Sequence, residues 1–176
     1  MEDTERFCGT RSPVRRGRDC ERGAVLVETV LTFPLVAMLV FGMISTGIAL
    51  GQKNSIENAA REASRFGATY EVTASTADWL DDVSDAAVSA ATGELDTGAP
   101  GRYVCVALVG TGGSDGRKII SGESPSYDAG SCPGMSCASS LSCVQILLQR
   151  DGQLDAVFFR RALTLKASSV SVFERG

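Results

Sequence analysis

Residues 24–50 read AVLVETVLTFPLVAMLVFGMISTGIAL, an apolar run of 27 residues that carries one charge, Glu28. At about 1.5 Å per helical residue the run reaches about 40 Å, more than the roughly 30 Å hydrocarbon core of a bilayer requires. A secretory signal peptide has a shorter apolar centre, about 7 to 15 residues, and ends at a small-x-small cleavage site. Here Gln52, Lys53 and Asn54 follow within a sequence that still has helical spacing, so the segment is expected to stay attached. Six arginines, at positions 6, 11, 15, 16, 18 and 22, precede the run. The positive-inside rule counts these and largely ignores the acids among them, which puts the N-terminus in the cytoplasm and the residues after Leu50 outside.

The chain has 176 residues, 44% of them apolar, and the run takes up so much of that apolar content that the remainder must form a small domain. Acids outnumber bases 21 to 17, a formal net charge of −4, so there is no global electrostatic footprint for nucleic acid. There is no histidine, which removes Ser-His-Asp and Cys-His nucleophiles, the HExxH helix and every histidine-containing zinc site. No cofactor is implied.

The start of the run is its most informative point. A polar, basic leader ends in Glu21-Arg22-Gly23, and a carboxylate stands at the fifth place of the apolar segment. A bare carboxylate in a spanning helix costs a few kcal/mol on insertion scales, so a neutralising partner is expected. A cut after Gly23 would create an α-amino group with a pKa near 7.7–8.0, roughly 6 Å along the axis from Glu28. On a neighbouring subunit shifted along the helix, that ammonium could meet the carboxylate.

This junction resembles the class III, or prepilin-peptidase, signal of type IV pilins and pseudopilins, in which cleavage follows the glycine and Glu holds position five. ERGAVLVETVLTFPLV with NAAREASRFGA is similar to the TadE-like proteins of Flp/Tad pilus assembly systems. That family shows a Glu soon after the glycine, a Pro in the apolar helix (here Pro34) and an Ala-Arg-Glu segment beyond it (here Ala60-Arg61-Glu62). The tail ALTLKASSVSVFER, 162–175, is similar to the family's closing strand. The resemblance implies a pilin-like α+β fold and a structural, non-enzymatic role as a minor pilin or pseudopilin. It also implies processing between Gly23 and Ala24 by a prepilin peptidase, with other pilins and assembly-platform proteins as partners. The competing reading is a single-pass receptor or adhesin with an uncleaved anchor.

The expected organisation is a cytoplasmic leader over 1–23, a transmembrane helix over 24–50 and an amphipathic extension over 51–70. A second helix with a linker over 71–101 and a small antiparallel β domain over 102–176 complete it. In the extension, Ile56, Ala59, Ala60, Ala63, Phe66 and Gly67 recur at helical spacing, and Glu57 to Arg61 is a favourable i,i+4 pair. Pro34 takes away the amide that would reach the Val30 carbonyl, so a bend is expected there. Gly47 and Gly51 have the spacing that lets another helix approach closely.

Thr76–Leu95 puts Trp79, Leu80, Val83, Ala86, Ala87 and Ala90 on one stripe and reads as a helix. Asp78, Asp81, Asp82 and Asp85 are expected to be solvated and without partners. The runs 103–109, 143–148 and 163–173 read as strands, the last with a change of parity that suggests a bulge near Ser168 and Ser169. Gly110–Gly134, rich in glycine and poor in apolar residues, reads as an irregular loop, and it is no phosphate loop because it lacks Gly-Lys-Ser/Thr.

Cys8 and Cys20 fall in the leader. Cys105, Cys132, Cys137 and Cys143 fall outside the membrane, where disulfides persist, and their irregular spacing favours disulfides over a metal site. The expected pairing is Cys105 with Cys143, joining two strands, and Cys132 with Cys137, closing a short turn.

Overall fold

A computed structural model of the chain describes residues 16–72, 75–110, 113–138, 141–156 and 159–172. The elements are α1 (Arg16–Thr69), α2 (Thr76–Ala90), β1 (Tyr103–Gly110), β2 (Gly113–Ser121), β3 (Ser124–Asp128), β4 (Cys143–Ala156) and β5 (Phe159–Val172). The fold is α+β. The chain divides into two units, residues 1–43 and 44–176. Residues 1–15 of the leader, with Cys8, lie outside the described residues.

In the first unit α1 runs on through Pro34. Just before it, the hydroxyls of Thr29 and Thr32 donate to the carbonyls of Val25 and Glu28 at 2.8 and 2.9 Å. Such back-bonding satisfies hydroxyls that have no water to turn to in an apolar medium.

In the second unit the rest of α1 turns one stripe inward. Ile56, Ala59, Ala60, Ala63, Ser64 and Gly67 are buried. Phe66 is not part of that stripe: it is 39% exposed and stacks on Tyr70 at 5.1 Å. Small residues dominate because the helix lies close to its neighbours. A Cβ on Gly67 would come within 3.0 Å of Val144, 3.1 Å of Trp79 and 3.3 Å of Val83.

Helix α2 starts at an N-cap, Ser75, whose hydroxyl accepts the amide of Asp78 at 3.0 Å. It buries Trp79, Leu80, Val83, Ser84 and Ala87. The helix ends at Ala90, not at Leu95. Thr92 and Gly93 take positive φ values of 48° and 84°, which break the helix. Ala91 and Leu95 still enter the core from the turn, and this keeps the apolar spacing going past the helix end.

The five strands form one antiparallel sheet in the order β3-β2-β1-β4-β5. Val104, Val106, Leu108, Val144, Ile146, Leu148, Leu165 and Ala167 face the helices and form the main core with them. Two sequence expectations are corrected here. Gly110–Gly134 is not an irregular loop: β2 and β3 form within it, because 113–121 pairs along β1 and 124–128 folds back on β2 through the turn at Gly122 (φ 64°). Nor is there a bulge at Ser168 and Ser169, since β4 and β5 keep one register from Cys143↔Val172 to Ala156↔Phe159.

From Leu165 to Ser171 the odd-numbered positions of β5 face the helices. Leu165 and Ala167 give way to Ser169 and Ser171, whose hydroxyls lie 2.8 and 3.0 Å from that of Ser64 on α1. Val170 and Val172, on the other face, are each 47% exposed. The register shift in the sheet lies instead between Leu108 and Val109 of β1.

Candidate functional site

Between Val25 and Leu50 the large apolar side chains of α1 are exposed on every side, Met43 at 73% and Phe33 at 70%. No packing against protein accounts for such a surface. The helix is long and apolar enough to cross a membrane. Gly23 and Ala24 lie inside α1, and Glu28 sits exposed near the start of the apolar stretch. Gly47 and Gly51 are open, with nothing within 4 Å of a Cβ built on either, so a second helix could approach there without steric cost. Beyond the apolar stretch Glu57 takes two cations of its own helix, Lys53 at 3.5 Å and Arg61 at 3.9 Å.

The far face of the sheet is closed by the segment after β3. Cys105 and Cys132 lie there with Ala107, and Tyr103, Val109, Ile119, Met135 and Leu147 pack around them. The disulfides are Cys105–Cys132 and Cys137–Cys143, not the expected Cys105–Cys143 and Cys132–Cys137. Register explains the change: Cys143 stands opposite Val109 on β1, while Cys105 stands opposite Leu147, so β1 and β4 hold these two cysteines four positions apart. Cys132 is brought over Cys105 by the buried Gln145, whose Oε1 accepts the Cys132 amide at 2.9 Å. Pro133 and Gly134 (φ 74°) then make the turn whose Met135 amide returns to the Cys132 carbonyl at 3.1 Å.

A polar cluster lies on the helix-facing side of the sheet. Lys118 of β2, 6% exposed, donates to Ser84 Oγ at 2.7 Å and pairs with Asp81 Oδ1 at 2.8 Å. Tyr127 of β3 donates to the same carboxylate oxygen at 2.5 Å. Asp81 therefore has partners, contrary to the sequence expectation. Hydrogen bonds from Lys118 first and Tyr127 second hold its carboxyl below the usual carboxylate range. The hydrogen bond to Asp81 in turn raises the Tyr127 phenol, with burial and the nearby Asp85 and Asp78 adding to the effect. Tyr70 is likewise raised, chiefly by its hydrogen bond to Asp82.

The Ser84–Lys118 contact has the look of a nucleophile and base, but the hydroxyl is fully engaged. It donates to the Asp81 carbonyl at 2.9 Å and accepts from Lys118. Among the described residues no group of three or more His, Cys, Asp or Glu side chains could hold a metal ion. Sequence reading missed Lys118, Ser84 and Gln145. The one available signal was that Lys118 has the same parity as Ile120 in a stretch read as a loop.

A membrane-length helix bearing a carboxylate near its start, followed by a two-disulfide α+β domain, defines a class of proteins with one long apolar N-terminal helix and a small sheet domain. Within that class residues 23–65 match the family model described as TadE-like protein. The match takes in Gly23, Glu28, Pro34 and Ala60-Arg61-Glu62, and so covers both the apolar and the sheet-packed parts of α1. No curated protein and no solved structure matches the chain.

Proposed function

We propose that this protein is a structural component of a Flp/Tad-type pilus assembly or secretion system, a TadE-like minor pilin or pseudopilin processed after Gly23. The observation that carries the reading is the Gly23-to-Glu28 spacing at the start of an exposed apolar helix, inside the segment matched by the family model. The N-terminus lies in the cytoplasm and the residues after Leu50 outside, with the bilayer around 24–50. The partners are a prepilin peptidase, other pilins and the platform proteins of assembly. The role is structural, not enzymatic.

The chemistry of processing follows from the helix. Hydrolysis needs the Gly23–Ala24 peptide released from helical hydrogen bonding, and glycine, about 1 kcal/mol less favourable than alanine in a helix, lowers the cost of that opening. The new Ala24 ammonium then neutralises Glu28 of a neighbouring subunit, which removes the insertion cost of both charges at once. Glu28→Gln should leave cleavage largely intact, keep or improve membrane insertion, and reduce pilus assembly. Wild-type levels of pili in that variant would remove the pairing role.

One observation favours the second reading, an uncleaved single-pass receptor or adhesin: α1 continues without interruption through Gly23 back to Arg16. Mass spectrometry of protein extracted from membranes of cells with an active prepilin peptidase separates the two. A chain beginning at Ala24 is expected; retention of Met1 to Gly23 would establish the plain anchor instead.

A further inference from the structure

Lys118 occupies a place that the sheet elsewhere gives to apolar side chains. It stands opposite Val106 of β1 and Tyr127 of β3, two residues from the core residue Ile120. Its ammonium lies 5.9 Å above the Tyr127 ring, so helix α2, strand β2 and strand β3 all meet at one carboxylate, that of Asp81. Apolar attachment of the β2–β3 hairpin is slight by comparison. Among the described residues Ile120 is the one apolar side chain that the hairpin adds to the main core, and every residue of β3 is exposed. Arg117 pairs with Asp128 across the hairpin at 2.6 Å, and its one bond among the described residues to the segment that follows is to the Ser131 carbonyl at 2.8 Å, next to the Cys105–Cys132 disulfide.

We propose that the β2–β3 hairpin is a separately opening flap, clipped to α2 through the carboxylate of Asp81, and that its release uncovers the edge of strand β1. The physical reason lies in the asymmetry of a buried ion pair. Removing one partner leaves the other charged and poorly solvated, so the structure gains by carrying that charge back to water. Departure of its own hairpin carries Lys118 to water, and it withdraws Ile120 from the main core and Ile119 from the cluster around Cys105. β4 and β5 have no such route, because Val144, Ile146, Leu148, Leu165 and Ala167 hold them in the core. The Cys105–Cys132 bond keeps the chain after β3 on the sheet, so the opening is bounded. This proposal stands apart from the pilus reading.

Hydrogen–deuterium exchange on the full chain in detergent micelles, with both disulfides intact, tests it. Asp81→Asn should raise exchange of the amides of 116–128 by about threefold to fivefold while 143–149 and 163–170 keep their protection. Adding Lys118→Met should bring exchange in the hairpin back toward wild type, because no orphan charge remains. Tyr127→Phe, which removes one hydrogen bond and no charge, should raise exchange in the same segment by a smaller factor. Unchanged hairpin exchange in Asp81→Asn, or an equal rise across β4 and β5, would overturn the flap. If Asp81→Asn does not fold, the decision passes to Tyr127→Phe, where the same local rise is required.

Discussion

Helix α1 carries two kinds of surface along one unbroken backbone. From Val25 to Leu50 its large apolar side chains are exposed on all sides, whereas from Ile56 to Gly67 one narrow stripe of mostly small residues is buried and the rest, Phe66 apart, is charged or polar. The difference shows that hydrophobicity alone does not tell a helix where to pack. Large side chains all round suit a solvent of lipid tails, which has no shape to match. Ala59, Ala60, Ala63 and Gly67 suit a rigid neighbour, because small residues let backbone and sheet approach within contact distance.

The largest expected effect comes from exchanging one isoleucine in each part. Ile56 is 1% exposed, so Ile56→Ala should destabilise the folded domain by about 2–5 kcal/mol in chemical denaturation of micelle-held protein. Ile48, 59% exposed, should leave that transition where it is when changed to alanine. Equal effects would abolish the distinction between the two parts.

The disulfides offer the next test, since their loops differ in length. Replacing Cys105 and Cys132 together by serine frees a loop with a sequence separation of 27 and should cost about 3.5 kcal/mol; replacing Cys137 and Cys143, separation 6, should cost about 2 kcal/mol. Peptide mapping without reduction checks the pairing first. A Cys105–Cys143 linkage would return the sequence-based arrangement.

Glycine should show opposite signs in the two parts. Gly67→Ala brings a Cβ to 3.0 Å from Val144 and should destabilise by about 1–2 kcal/mol, because a well-packed contact must shift. Gly47→Ala meets nothing, so the domain's unfolding should not weaken and the helix should gain up to about 1 kcal/mol from propensity. If another helix packs at the open Gly47 and Gly51, the same change should weaken that association in the membrane while leaving the fold intact.

The smallest effect is the response to pH. The folded carboxyl of Asp81 is held below its ordinary value, so its stabilisation is present above the unfolded pKa of about 3.9 and is lost as pH falls through the lower folded value. The Asp81 side chain is 47% exposed, and solvent screening keeps this contribution to about 1 kcal/mol or less. Denaturation midpoints between pH 6 and pH 3 should fall less steeply in Asp81→Asn than in wild type. Tyr127 acts at the other end: its folded phenol is raised, so its contribution is complete below the unfolded value near 10 and fades as pH climbs through the folded one.

Local order, once written in residues, was legible. The run 24–50 and the Gly23-to-Glu28 spacing mark a membrane-length helix and the resemblance to TadE-like proteins that the family model matches over residues 23–65. The spacing of Ile56, Ala59, Ala60 and Ala63 identifies the buried stripe, and the unbroken β-rich run 103–109 identifies β1. These signals are short-range, set by the 3.6-residue turn of a helix and the two-residue repeat of a strand. Where the signal failed, a partner distant in sequence had decided the matter. Ser169 and Ser171 read as a break in alternation, yet they keep the inward face because Ser64 on α1 satisfies their hydroxyls. The glycine-rich 113–128 reads as a loop, yet it becomes a hairpin because β1 supplies a ladder for it.

What the sequence by itself determined about this protein is therefore its α+β class, the membrane-length helix, the candidate processing junction and which four cysteines could pair. Only the tertiary structure decided the pairing itself, the burial of Lys118 beside Asp81 and Ser84, and the five-strand order with β1 at its centre. Periodicity reports which face of an element is apolar. It carries no information on which element will meet that face, and strand register, which places Cys105 beneath Cys132 and Lys118 beneath Asp81, is a property of the meeting.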